Sequence, residues 1–195
     1  IDAIAYLRMA KNCEVINTIF EDDTWERNEV ATTQQRTILL NKLVQITQRE
    51  RNPYFKRKYA FLTIRLAYYA GKMDVIKNVF ESNFKESKKD YVYNWSLFFY
   101  TFTKSGANSM INAANLMANC PEKTYASYYY FHQNFKIEEA LQQAKNKTEI
   151  ANVYAYASIQ KVDKNLDYLK EIYKKNPKSE ILGFLLLREI NKIED

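Results

Sequence analysis

The sequence predicts an all-α fold, and three observations carry that prediction. Apolar residues recur at spacings of three and four along almost the whole chain, the period of a helix with one buried face. Gly and Pro number three each in 195 residues, where average usage would supply roughly 14 and 10. Strand hairpins lean on Gly and Asn-Gly turns, so the scarcity argues for long helices joined by short polar turns. The chain is 47% hydrophobic, enough to bury a sizeable core in one domain or a short array of repeats.

The elements follow in order. Residues 1–20 place Ile4, Leu7, Ala10, Val15, Ile16, Ile19 and Phe20 at helical spacing, until Glu21-Asp22-Asp23-Thr24 breaks the pattern. Residues 33–50 resume it with Ile38, Leu39, Leu43, Val44 and Ile46, and Arg51-Asn52-Pro53 ends it, because Pro disfavours helical geometry in the residue before it. A long helix is expected from Tyr54 to Ala70, with Gly71 as the left-handed residue that stops it. Residues 73–84 return with Val75, Ile76, Val79, Phe80 and Phe84 inward. Residues 91–104 form an aromatic helix that Gly106 closes, and 108–119 return with Met110, Ile111, Ala114, Leu116 and Met117. Pro121 suits the first turn of the next helix. The segments 122–134 and 136–146 pair, as do 148–160 and 163–176, with Asp163 as N-cap. Asn176-Pro177 ends the last of these, and Ser179 caps a final helix, Glu180–Ile193, carrying Ile181, Leu182, Leu185, Leu186 and Ile190. Short connections make each pair an antiparallel hairpin.

Charge narrows the choice of partner. The net charge is +6, from 29 basic and 23 acidic residues. Residues 53–90 hold nine Lys/Arg against four Asp/Glu, a local balance of +5, while the remainder is close to neutral. Such an excess either solvates outer helix faces or recruits phosphates, acidic peptides or anionic surfaces. Tyr (16) and Phe (11) are abundant, and aromatics at that density serve packing first. No run of about 18 apolar residues exists, so no segment is expected to span a membrane. The chain opens with Ile1 and closes in the charged run 188–195 without a stop signal. That predicts a piece of a longer protein, with any targeting segment outside it. Localisation and oligomeric state stay open.

A period underlies the helices. Gly71 and Gly106 are 35 residues apart, and superposing them pairs Leu62 with Leu97, Ile64 with Phe99 and Ile76 with Ile111. The next turns, near Phe135 and Lys161, follow after 29 and 26 residues. A lone hairpin cannot bury both faces of its helices, so such units stack. The stretch "KYAFLTIRLAYYAGKMDVIKNVF" (58–80) resembles a tetratricopeptide repeat: a long helix ends in Gly, then an aliphatic residue follows five positions on (Ile76) and an aromatic nine on (Phe80). Trp95 stands eleven residues before Gly106, Ala118 falls at a small-residue position, and Asn176-Pro177 is similar to the closing Pro. The chain departs from the motif at Ile64 and Phe99, where Gly or Ala is wanted, and at Ile76 and Ile111, where Ala is usual. Larger residues there push paired helices apart, so the likeness is TPR-like rather than strict. It covers residues 54–195 and implies hairpins stacked as a right-handed α-solenoid over 53–195, with helices in 1–52 packing on the array. The wording "RKYAFLTIRLAYYAG" with "ILGFLLLREINKIE" also resembles long bacterial cell-envelope repeat proteins of unassigned role.

The chemistry of the residues points away from catalysis. Three isolated glycines make no phosphate cradle. Cys13 and Cys120 lie far apart with no CxxC, and the single His132 has no Cys neighbour, so neither a zinc site nor another cofactor is expected. His132, inside the aromatic run 128–131, reads as a hydrogen-bonded structural residue. The acidic run Glu21-Asp22-Asp23-Thr24-Trp25-Glu26 could hold Mg²⁺ or Ca²⁺. Its spacing is similar to the aspartate-rich motif of helical prenyl-converting enzymes, but a second such motif is missing, and a helix-capping cluster is the simpler account.

A TPR-like likeness implies that the first helix of each hairpin lines a concave surface. The groove residues would then be Lys58, Phe61, Arg65, Tyr69, Tyr93, Ser96, Tyr100 and Lys104. Lys and Arg hold carboxylates or phosphates, and Tyr supplies contact area with a polar tip. The resulting expectation is a scaffold that binds protein or peptide, acidic segments among them, and catalyses nothing. "VYNWSLFFYTFTKSG" (92–106) also resembles the first helix of a pentatricopeptide repeat, which implies single-stranded RNA as the alternative ligand. A metal-dependent enzyme using the 21–26 carboxylates is the remote third reading.

Overall fold

The computed structural model describes residues 2–17, 29–133 and 136–194. The described residues are helical, with no strand among them. In chain order the helices are α1 (Asp2–Asn17), α2 (Glu29–Arg49), α3 (Pro53–Tyr69), α4 (Met73–Asn83), α5 (Tyr91–Thr101), α6 (Gly106–Asn119), α7 (Thr124–Phe131), α8 (Ile137–Gln143), α9 (Lys147–Gln160), α10 (Leu166–Lys175) and α11 (Ile181–Glu194). A single 3₁₀ turn, Pro121–Lys123, leads into α7. They gather into two compact units, residues 1–103 and 104–195.

In the first unit α3 is the central helix, and α1, α2, α4 and α5 all pack on it. Asn52 starts α3 by accepting the Tyr54 N–H (3.0 Å), ahead of a Pro in the first turn where no N–H is needed. Gly71 ends it at φ +68°. The Gly71 N–H donates to Tyr68 O (3.1 Å) and the Lys72 N–H to Ala67 O (2.8 Å). Those two bonds are the Schellman closure, which needs the left-handed residue a glycine supplies. The chain thus reverses within three residues, and α4 lays Ile76 and Phe80, with Phe84 beyond its end, into the core. Three aromatic contacts between α3 and α5 run in step: Phe61 with Trp95, then Tyr68 with Phe99 and Phe102. The two helices therefore run parallel, with α4 returning between them in sequence. A buried hydroxyl pair, Thr47 Oγ1 to Thr63 Oγ1 (3.0 Å), ties α2 to α3.

The buried stripes of the first two helices differ from the expected ones. In α1 the buried residues are Met9 and Cys13, while Ile4, Leu7 and Val15 face solvent. In α2 they are Leu39, Leu40, Leu43 and Thr47, and Ile38 is 70% exposed. Both helices hold more apolar residues than one face has room for, and the side turned to α3 decides which go in.

In the second unit α6 and α9 cross with small residues between them. Ala113, Ala114, Ala151 and Ala155 are wholly buried there, so the backbones approach closely and Tyr156 fills the space beside them, its hydroxyl donating to Ser127 O (3.2 Å). Asn152 Nδ2 donates to Asn115 Oδ1 (2.8 Å) across the same contact. α7 and α8 pack on α6; α10 and α11 pack on α9. Two expected boundaries move. Gly106, at φ +57°, opens α6, and α5 already ends at Thr101. The N-cap of α10 is Asn165, not Asp163.

Candidate functional site

The residues expected to line one groove are put to several uses. Lys58 lies on α3 with its ammonium over two rings, 5.3 Å from Tyr6 and 4.4 Å from Tyr54, so it joins α1 to α3. Arg65, two turns further along, is half-buried, and its charge acts on Cys13 of α1. Phe61 meets Trp95 edge-on, and Tyr69 packs edge-on against Tyr68. On α5, Tyr93 and Tyr100 both close on Phe80 of α4, the Tyr100 ring stacked at 4.1 Å and 12°. The Tyr100 hydroxyl donates to Glu81 (2.8 Å). Burial, with that carboxylate beside it, pushes the Tyr100 pKa well up. Ser96 is fully buried and its hydroxyl donates to Val92 O (2.8 Å), so it offers nothing to a partner. The 93/96/100 face of α5 thus packs on α4, and the 58/65 face of α3 meets α1. Lys104 belongs to the other unit.

A different surface does assemble basic and aromatic groups in unit one. Arg57 sits one turn into α3 and reaches Asp90, the N-cap of α5, with both guanidinium nitrogens at 2.8 Å. It also donates to Lys88 O (3.0 Å). That fork holds the N-terminal ends of α3 and α5 side by side. The Arg57 hydrogen bonds to its carboxylate keep Asp90 below the usual carboxylate range, against the opposing effect of burial. Around this fork Tyr54 (60%) and Tyr91 (55%) stand exposed, with Lys85, Lys88 and Lys89 exposed on the loop before α5. α3 carries no acidic residue in its first turn, whereas the N-terminal end of α5 is capped by the Asp90 carboxylate. An open depression lined by Ile46, Arg49, Glu50 and Arg51 lies at the foot of α2, where the chain leads into Asn52 and α3.

The sequence locates the basic excess in 53–90 without showing which of its side chains stand around the Arg57–Asp90 fork. Tyr54 could have been found, since it stands four residues before Lys58 and such pairs touch on a helix. Tyr91, Lys88 and Lys89 could not, because their place depends on Arg57 bridging to Asp90 over 33 residues.

The groups with reactive or metal-binding side chains are engaged elsewhere or lie outside the described residues. Cys13 and Cys120 are buried free thiols, each pushed by burial to a pKa of about 11; both stay protonated at neutral pH and are weak nucleophiles. His132 Nδ1 faces two carbonyls, Tyr128 O (2.9 Å) and Tyr129 O (3.1 Å), so this nitrogen carries the proton, and the ring stacks on Tyr128. The acidic run 21–26 falls outside the described residues, as does the turn near Phe135. Among the described residues no three His, Cys, Asp or Glu side chains group as metal ligands, and no helix is long and apolar enough to cross a membrane. No family model, curated protein or solved structure matches the chain.

Proposed function

We propose that this chain is an interaction domain on a TPR-like scaffold, without catalytic activity, and that it binds acidic protein or peptide segments. The observation that carries this reading is the end of unit one where Arg57 clamps the α3 and α5 N-termini together among exposed Tyr54, Tyr91, Lys88 and Lys89. Rigid tyrosines supply apolar contact at little entropic cost, and exposed lysines beside them attract carboxylates. Asp90, the acid at the centre of this end, is taken up by Arg57. The parallel α3 and α5, with α4 returning between them in sequence, support the TPR-like reading, in which first helices share one face.

The test is a fluorescence-anisotropy titration of the intact chain with a labelled oligo-glutamate peptide, with a labelled oligouridylate as the comparison ligand. The peptide is expected to bind in a salt-sensitive manner. Reversing Lys88 and Lys89 to Glu should weaken it by about thirtyfold, since each reversal costs on the order of 1 kcal/mol. Reversing Lys170 and Lys174, on α10, should leave it unchanged. Absence of peptide binding, or equal weakening by both pairs of reversals, would refute the site; tighter binding of the oligouridylate would transfer the function to single-stranded RNA.

A further inference from the structure

The junction between α2 and α3 is pinned by three hydrogen bonds. The Glu50 N–H donates to Ile46 O (2.8 Å) and closes the last turn of α2. The Asn52 N–H donates to Glu50 Oε1 (2.8 Å), and the Tyr54 N–H to Asn52 Oδ1 (3.0 Å). The depression held open there has a volume of about 370 Å³, and Ile46, Arg49, Glu50 and Arg51 line it. Ile46 and Glu50 are half-buried, while Arg49 and Arg51 are exposed. Neither guanidinium has a hydrogen-bond or ion-pair partner among the described residues. Glu50, by contrast, is held by the Asn52 N–H.

We propose that this depression is a carboxylate pocket for the last residue of a peptide partner. The free C-terminal carboxylate lies between Arg49 and Arg51, and an apolar side chain rests on Ile46. The pocket opens three residues before Tyr54; it rests on the reading that this end of unit one meets peptides, and adds how such a peptide ends. Size comes first: ligand pockets run from roughly 300 to 1,000 Å³, so this one takes a residue or two and no larger element. Charge comes second. Two guanidiniums against one carboxylate leave a single positive charge, which a carboxylate matches and a phosphate monoester, at nearly two negative charges, exceeds. The planar guanidinium also holds a carboxylate through two parallel hydrogen bonds. The third argument is the apolar floor beneath a cationic rim. A terminal residue carries its carboxylate and its side chain on one Cα, so it meets both at once. A Glu or Asp side chain ends in its charge, and would either bring that charge onto Ile46 or leave Ile46 uncovered.

Two labelled peptides test this on the intact chain by fluorescence anisotropy. Each is an oligo-glutamate extended by a final leucine, one with a free C-terminal carboxylate and one amidated, so that only the terminal charge differs. The wild type is expected to bind the free acid about tenfold more tightly than the amide. Arg49→Gln with Arg51→Gln should bring the two peptides to equal affinity at an unchanged melting temperature. Glu50→Gln keeps an oxygen for the Asn52 N–H and removes the opposing charge, so its preference for the free acid should rise by about threefold. Lys88→Glu with Lys89→Glu should weaken both peptides alike and leave their ratio intact. Equal affinity of the wild type for the two peptides overturns the pocket and leaves the broader reading standing. A preference that survives in the folded arginine variant, or that falls in Glu50→Gln, overturns the pocket as well. Binding of neither peptide overturns both. A preference that the arginine variant abolishes, with binding indifferent to the lysine reversals, upholds the pocket and overturns the lysine surface.

Discussion

Asp90 serves two ends with one carboxylate. Oδ1 accepts the Tyr93 N–H (3.1 Å) and so caps α5, while both oxygens take the Arg57 fork. Asp90→Ala should therefore cost about 2 kcal/mol, a cap plus a charge-assisted pair, whereas Asp90→Asn keeps the cap and should cost about half as much. Thermal melts check the ranking; equal losses would mean that the fork contributes nothing. Glu189 makes a prediction with pH. Burial alone would raise its pKa, but hydrogen bonds from Lys192 and the Asn165 N–H, with the charges of Lys192 and Arg188, outweigh it and hold the carboxyl below the usual range. Its folded value is depressed, so its contribution is fully present above the unfolded value of about 4.3 and is lost as pH falls through the folded one. Wild type should lose stability on acidification below pH 4.3 more steeply than Glu189→Gln, which should already be weaker by about 2 kcal/mol at neutral pH. Parallel pH profiles for the two proteins would contradict the role assigned to Glu189. Neither residue's task was visible in the sequence, because each partner lies more than twenty positions away or faces a way that periodicity does not specify. In α11 apolar residues occur all around the helix, and only the carbonyls at the end of α9 decide that Arg188 and Lys192 point inward.

The helices themselves were largely legible, because a 3.6-residue period survives wherever one face is buried. The reversal at Gly71 was legible for a stronger reason: left-handed geometry there excludes most other residues. Nothing lies within 4 Å of a Cβ built on Gly71, so Gly71→Ala tests backbone strain alone. It should cost about 1 kcal/mol and lower the melting temperature by about 2–4 °C. A neutral substitution would mean that the α3–α4 reversal does not need its left-handed residue. Gly106 shows where the same signal misleads. A glycine at positive φ suits either the end of one helix or the start of the next, and here it begins α6. The 35-residue spacing of the two glycines thus matches unlike positions of two turns. Asn165 replaced Asp163 as cap for a similar reason: both residue types suit the position, and Asn165 is preferred where its backbone N–H meets Glu189 and its side chain donates to Ser158 O (3.1 Å).

At the scale of the molecule, each unit closes around its own buried residues: Leu43, Ile64, Leu66, Ile76 and Phe84 in one, Leu116, Val153, Tyr156 and Ile172 in the other. Cys13 belongs to the first and Cys120 to the second, both nearly inaccessible and both protonated at neutral pH. A thiol reagent at neutral pH should therefore label neither in the native chain and both in denaturant; rapid native labelling would show that these interiors open easily. The sequence's charge told which stretch would be basic. What it could not tell was which side of α3 meets α1, since that depends on Tyr6 packing on Phe55, Tyr59 and Lys58.

The claim on which the functional account rests is that the paired N-terminal ends of α3 and α5 are the surface that meets an acidic partner. Amide chemical-shift mapping of the isotope-labelled chain against an oligo-glutamate peptide tests it residue by residue. The account predicts shifts concentrated in 52–58 and 88–95, growing with peptide and fading as salt is added. Shifts scattered over both units, or centred on the helices around α9, would contradict it.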